Sequence, residues 1–213
     1  MVFSNLLYYF AVQSTFNMDK DKALASVNEI KELMEKSSKF VSFSGLAAIM
    51  AGIYSLAGSF IVAKVLSPGL TLQEITVTAL VVLGASIVTA FVLSYYKAKK
   101  IEQKFFSKLT YRTLWSFALP LLVGGLLCFS LILHKSYGLT SSIMLLFYGL
   151  SLVNTSKYTY SNFAWLGYGF LLIGIVDCFF IGHGLLFWTI GFGGLHLLYG
   201  IWFYVHYERK SNR

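Results

Sequence analysis

Ile75-Thr-Val-Thr-Ala-Leu-Val-Val-Leu-Gly-Ala-Ser-Ile-Val-Thr-Ala-Phe-Val-Leu-Ser94 carries no charge over twenty residues, and Tyr95-Tyr96-Lys97-Ala98-Lys99-Lys100 follows at once. A bilayer core about 30 Å thick takes about 20 apolar helical residues, so this run is long enough to cross it. In lipid the backbone must satisfy its own donors and acceptors, which makes the run a helix. Five more stretches meet or approach the same length: residues 40–63, 114–133, 139–154, 163–182 and 185–205. Alternating segments of about ten residues, the mark of a membrane β-barrel, do not occur. The expected fold class is all-α: a multi-pass transmembrane helical bundle of six spans paired as three hairpins.

Composition agrees with that expectation. The 213 residues are 57% hydrophobic and only 12% charged, whereas a soluble domain carries about 25% charged residues. So apolar a chain is no disordered segment, and two Cys are too few for a secreted disulfide scaffold. The charge of +8 falls in an orderly way. Five Lys precede the first span, six basic residues lie between spans two and three, Lys157 lies between four and five, and Arg209, Lys210 and Arg213 end the chain. The opposite side holds only Lys64 and Lys135. The positive-inside bias then places both termini in the cytoplasm of an inner or plasma membrane. Tyr95, Tyr96, Tyr111, Trp115, Tyr158, Tyr160, Trp165, Trp202, Tyr204 and Tyr207 gather at that same interface, where amphipathic rings are favoured. Basic residues split among several segments make no nucleic-acid footprint.

The organisation expected is an extension or disordered arm over 1–17, an amphipathic cytoplasmic helix over 18–39, the transmembrane domain over 40–207 and a basic tail over 208–213. Residues 1–17 lack a basic start and make a poor secretory signal; translation from Met18 rather than Met1 is one explanation. In the next segment Asp19 or Asp21 can cap a helix, and Leu24, Val27, Ile30, Leu33 and Met34 recur at helical spacing, which suits a helix lying on the membrane or on the bundle's own loops, or one docking another chain.

Membrane helices associate through small residues that let backbones approach. Span one offers Ser44, Ala48, Gly52, Ser55 and Ser59; span six offers Thr189, Gly193, His196 and Gly200; span five offers Gly167, Gly174 and Cys178; span three has Gly124 and Cys128 beside Pro120, a candidate kink. Phe147-Tyr-Gly-Leu-Ser-Leu-Val153 also matches Phe192-Gly-Gly-Leu-His-Leu-Leu198 at four positions, and Leu83–Val88 echoes it. That is the pattern of hairpins repeated about the membrane normal.

Asp177 is the one acid deep within a span, about 7–8 Å below the outer interface at helical rise. A carboxyl group there is costly, which makes it a candidate ion- or proton-coupling group; fixing helix packing is the plainer role. Cys128, His134, Cys178 and His183 fall in the same outer half. Thiolate and imidazole suit a transition metal, but no metal-ligand spacing is present, and convergence requires spans three and five to touch. His196 lies midway along span six with no second His at its depth for a haem; a hydrogen bond to Ser151 or Asn154 across a helix interface is expected instead. No hydrolase, nucleotide or metalloprotease motif occurs.

The segment Glu35-Lys-Ser-Ser-Lys-Phe-Val-Ser-Phe-Ser-Gly-Leu-Ala-Ala-Ile-Met-Ala-Gly-Ile-Tyr-Ser-Leu-Ala-Gly58, with Arg112-Thr-Leu-Trp115, Phe147-Tyr-Gly-Leu150, Lys157-Tyr158 and Trp188-Thr-Ile-Gly-Phe-Gly193, resembles a group of small bacterial inner-membrane proteins with no assigned reaction. The resemblance runs from about Met18 to the end of the chain. It implies six spans and carries over no site residue.

Three functions stay open. The first is a structural or regulatory bundle engaging a cytoplasmic protein through 18–39 or 97–113. The second is a small transporter or channel coupled through Asp177. The third is an intramembrane metal or redox protein built on the outer Cys/His/Asp residues, and no enzymatic reaction is favoured. The expected partners are the lipid bilayer and that cytoplasmic protein, with a homo-oligomer also open. No nucleic acid and no cofactor are expected.

Overall fold

The computed structural model describes residues 22, 24–28, 30, 42–65, 71–102 and 105–209. The chain divides into two units, residues 1–39 and 40–213. In the first, Lys22, residues 24–28 and Ile30 are helical, and Leu24, Val27 and Ile30 are all exposed. The expected caps Asp19 and Asp21, and Leu33 and Met34 of the same stripe, lie outside the described residues.

Among its described residues the second unit is built of helices. α1 spans Gly45–Phe60 and runs on as a π-helical turn, Ile61–Val65. It starts after residue 40 because Ser44 takes an extended conformation as its N-cap. α2 spans Leu72–Lys100, beyond both ends of the uncharged run. Thr71 and Glu74 close a capping box at its start, and Lys97, Lys99 and Lys100 fill its last turn, where cations oppose the dipole. α3 spans Lys108–Leu133 and passes unbroken through Pro120; the Ser107 hydroxyl accepts from the Thr110 amide at its start. After a 3₁₀ turn at Tyr137–Leu139, α4 spans Thr140–Thr155. α5 spans Phe163–Phe179 and stops short of residue 182. The backbone leaves helical geometry at Phe180, with φ −116° and ψ 58°, and Gly182 follows in the turn at φ +98°, a conformation glycine adopts without strain. The last helix, α6, covers Gly184–Glu208, with π-helical runs at Thr189–Leu195 and Tyr204–Glu208.

Five of these helices are long and apolar enough to cross a membrane; α5, at 17 residues, is shorter. Successive helices α1–α2, α3–α4 and α4–α5 pack closely, α1 packs on α6, and α5 meets α6 more lightly. α4 lies between α3 and α5. The small-residue stripes of α1 and α6 face each other: a methyl on Gly52 would sit 2.9 Å from the Leu197 nitrogen, and one on Gly200 2.7 Å from the Ile49 nitrogen. Thr189 Oγ1 donates to Ser59 Oγ at 2.7 Å along the same seam. The core proper is Leu145, Leu152, Phe163, Leu166, Phe170 and Phe203.

Burial is inverted relative to a soluble domain. Ser42, Ser44, Ser55, Ser59, Ser142, Ser151, Asp177 and His196 are buried, while Leu80, Val81, Val88, Leu126, Leu172 and Leu198 are exposed. A large apolar surface over a small, partly polar interior is what lipid selects, since tails solvate Leu and leave polar groups to find one another. The glycines matched in the internal repeat differ in surroundings. Gly149 lies against Gly167, whereas Gly194 and Gly84 have open space beside them.

Candidate functional site

Beyond residue 40 the chain has four acids, Glu74, Glu102, Asp177 and Glu208, and three of them bond to the first turn of a helix, their own or a neighbour's. The first amides of a helix lack partners, and the dipole there favours negative charge. Glu74 caps its own helix, accepting from the Thr71 amide at 2.9 Å. The other two bridge helices.

Asp177, 1% exposed, lies against the first turn of α4. Its Oδ2 accepts from Ser141 Oγ at 2.6 Å and from Ser142 Oγ at 2.9 Å. Neither serine stands out in the sequence; both reach Asp177 because α4 and α5 run antiparallel. The carboxyl group is thus tied to the neighbouring helix.

Glu208, at the end of α6, does the same for α1 at the other end of the bundle. Its Oε1 accepts from the Gly45 amide at 2.9 Å and pairs with Lys97 Nζ at 2.7 Å. Lys97 also donates to the Phe43 carbonyl and lies 5.4 Å from the Phe203 ring centre and 5.8 Å from that of Tyr160. Burial, reinforced by Glu208 and Tyr207, pushes the Tyr160 phenol above its ordinary value, so it stays protonated beside the pair. One ion pair therefore joins the starts of α1 and α5 to the ends of α2 and α6. Sequence reading takes Lys97 as a topology charge and passes over Glu208. The available signal is scarcity: an acid at a span end in so basic a chain has a local cation to meet.

His196 occupies the middle. Its expected partners are Ser151 or Asn154; in the structure Nε2 bonds the Tyr148 hydroxyl at 2.6 Å. The ring lies 5.2 Å from those of Tyr148 and Phe170 and stacks on Phe192 at 6.0 Å. Ser151 is unavailable because its hydroxyl turns back to the Phe147 carbonyl of its own helix, a habit of buried helical serines. Asn154 faces α3, where its Nδ2 donates to the Ser116 carbonyl at 2.9 Å. Ser116 is four residues before Pro120, so that carbonyl is the one the proline leaves without a donor. Asn154→Leu should cost about 1–3 kcal/mol by orphaning it. In a Pro120→Ala background the helix supplies its own donor, and thermal unfolding should show most of that cost gone. An equal loss in both backgrounds would refute the pairing.

The outer Cys and His residues stay apart. Cys128 Sγ points to the Thr140 carbonyl at 3.7 Å, and Cys178 Sγ to the Gly174 carbonyl of its own helix at 3.3 Å. His134 and His183 are exposed. Because α4 separates α3 from α5, the contact needed to gather them is missing. Among the described residues no group of three or more His, Cys, Asp or Glu could hold a metal ion, so the metal or redox reading has no ligand set there.

The class these features define is an all-helical protein with several helices fit to cross a membrane. No family model matches the chain, and neither a curated protein nor a solved structure aligns with it.

Proposed function

We propose that the chain is a six-span inner-membrane protein with both termini in the cytoplasm, acting as a structural or regulatory bundle that engages a cytoplasmic protein. The carrying observation is the exposed stripe Leu24, Val27 and Ile30 on a helical segment. Two arguments favour a protein over the lipid surface as its cover. Residues 18–39 hold five Lys against five Asp and Glu, so anionic headgroups gain no net attraction. The stripe also has the i, i+3 spacing by which an amphipathic helix enters a protein groove.

Counting α5 as a crossing supports the topology. At 17 residues it spans about 25 Å at helical rise, within reach of a locally thinned bilayer. Only with α5 counted do the basic segments all fall on one side. Asp177, enclosed and bonded by two serines of the preceding helix, favours packing over ion coupling, and the same bonding speaks against the transport reading.

The test is a photo-crosslinking amino acid at position 27, compared in living cells with one at position 81 on the exposed face of α2. The expected result is a protein adduct of discrete mass from position 27 and lipid adducts from position 81. Lipid adducts alone from position 27 would make the segment a membrane-surface helix and end the partner reading.

A further inference from the structure

From Tyr95 to Arg112 the chain holds six basic residues and Glu102 as the one acid. Lys97 is taken up by Glu208. Lys99 and Lys100 in the last turn of α2, and Lys108 and Arg112 at the start of α3, are exposed, and the first turn of α3 has no acid. Phe105 places its ring edge-on to those of Phe91 and Tyr95, at 5.3 and 5.6 Å, and Phe106 lies 5.3 Å from it. Phe91 and Tyr95 are exposed on α2. Phe91 stands three residues inside the end of the uncharged run, about 4–5 Å at helical rise. The connection between α2 and α3 therefore turns back along the flank of α2 instead of leaving it, and Phe106 beside Phe105 is 80% exposed.

An apolar ring exposed at the end of a spanning helix sits best at the acyl boundary, while Lys and Arg stems reach past it to the headgroups. We propose that this connection binds anionic phospholipid headgroups, with Lys99, Lys100, Lys108 and Arg112 supplying the charge and Phe105 and Phe106 the anchor. Lys108 and Arg112, four residues apart, share a face of α3. The Arg112 guanidinium can offer two parallel N–H groups to one phosphate. Charge favours lipid over protein here, by the criterion that points the other way for residues 18–39: five basic against five acidic residues there, six against one here. The inference rests on the reading of the chain as membrane-spanning and is independent of what covers Leu24, Val27 and Ile30.

Full-length protein purified in detergent is titrated with phosphatidylglycerol or with phosphatidylcholine, and bound lipid is counted by native mass spectrometry. Each basic residue near an anionic surface is worth about fivefold in affinity. The wild type should therefore hold phosphatidylglycerol at least about tenfold more tightly than phosphatidylcholine. Lys99→Gln, Lys108→Gln and Arg112→Gln combined should lose most of that preference, and Lys135→Gln, beyond the other end of α3, should keep it. Equal affinities in the wild type, or a preference that survives the triple substitution, overturn the proposal. A second arm needs no charge substitution. A photo-crosslinking amino acid at position 106 in living cells should give lipid adducts; a protein adduct of discrete mass makes the surface a protein site and overturns the proposal. Lipid adducts from position 81 check the membrane reading by themselves, so the two failures are told apart.

Discussion

Replacing Glu208 by Gln should cost the bundle about 3 kcal/mol, the lower end of what breaking a buried ion pair costs. The Lys97 and Glu208 side chains are 19% and 12% exposed, so water screens the pair only weakly. Gln keeps an oxygen for the Gly45 amide, and the loss falls on Lys97. Its ammonium stays among the Phe43 carbonyl and the Tyr160 and Phe203 rings without its anion. Lys97→Met strands the carboxylate instead and should cost a similar amount. The double variant removes both charges and should be more stable than the sum of the singles predicts, with a coupling of about 1–3 kcal/mol. Thermal unfolding of the four proteins in one detergent measures it; strict additivity would mean the pair holds nothing. The consequence reaches the basic segment 97–113. α2 packs chiefly on α1, so Lys97 fixes where that segment leaves the bundle. Its proteolysis should quicken in either single variant.

The elements that could be read in the sequence are those whose cause is local. An uncharged run in a basic chain gives a helix, and the small stripes around Gly52 and Gly193 announce seams without saying that they meet each other. Helix ends are less legible. α2 outruns its apolar stretch because Lys97–Lys100 suit a helix C-terminus, and α5 stops early because the backbone leaves helical geometry at Phe180, two residues before Gly182. At the candidate site, Asp177 is visible as an isolated acid, but its serines lie on another helix, 35 and 36 residues away. Such partners depend on register, which a single sequence does not carry. The partner of His196 differs from the expected one for a related reason. Ser151 lies at suitable depth, yet a helical hydroxyl can bond its own carbonyl, whereas the Tyr148 phenol can only reach outward.

Gly149 and Gly167 should show how strictly that register is held. A methyl on either would lie 2.8 Å from the other's carbonyl oxygen, closer than real contacts allow, and backbone cannot step aside as a side chain can. Ala at either position must push α4 and α5 apart, at about 1–3 kcal/mol for overpacking. The displacement also draws Ser141 and Ser142 away from Asp177, leaving a buried carboxyl group short of donors and adding about 1–3 kcal/mol. The two costs share one movement, so the double variant should lose little more than the worse single; additive losses would mean that the two contacts are separate. Ala at Gly84, Gly125 or Gly194, each with open space beside it, is the internal control. Those changes should be neutral or stabilise by up to about 1 kcal/mol through helix propensity. If Gly149→Ala melts with these controls, the close α4–α5 contact is not what positions Asp177, and the argument that its carboxyl group serves packing fails with it.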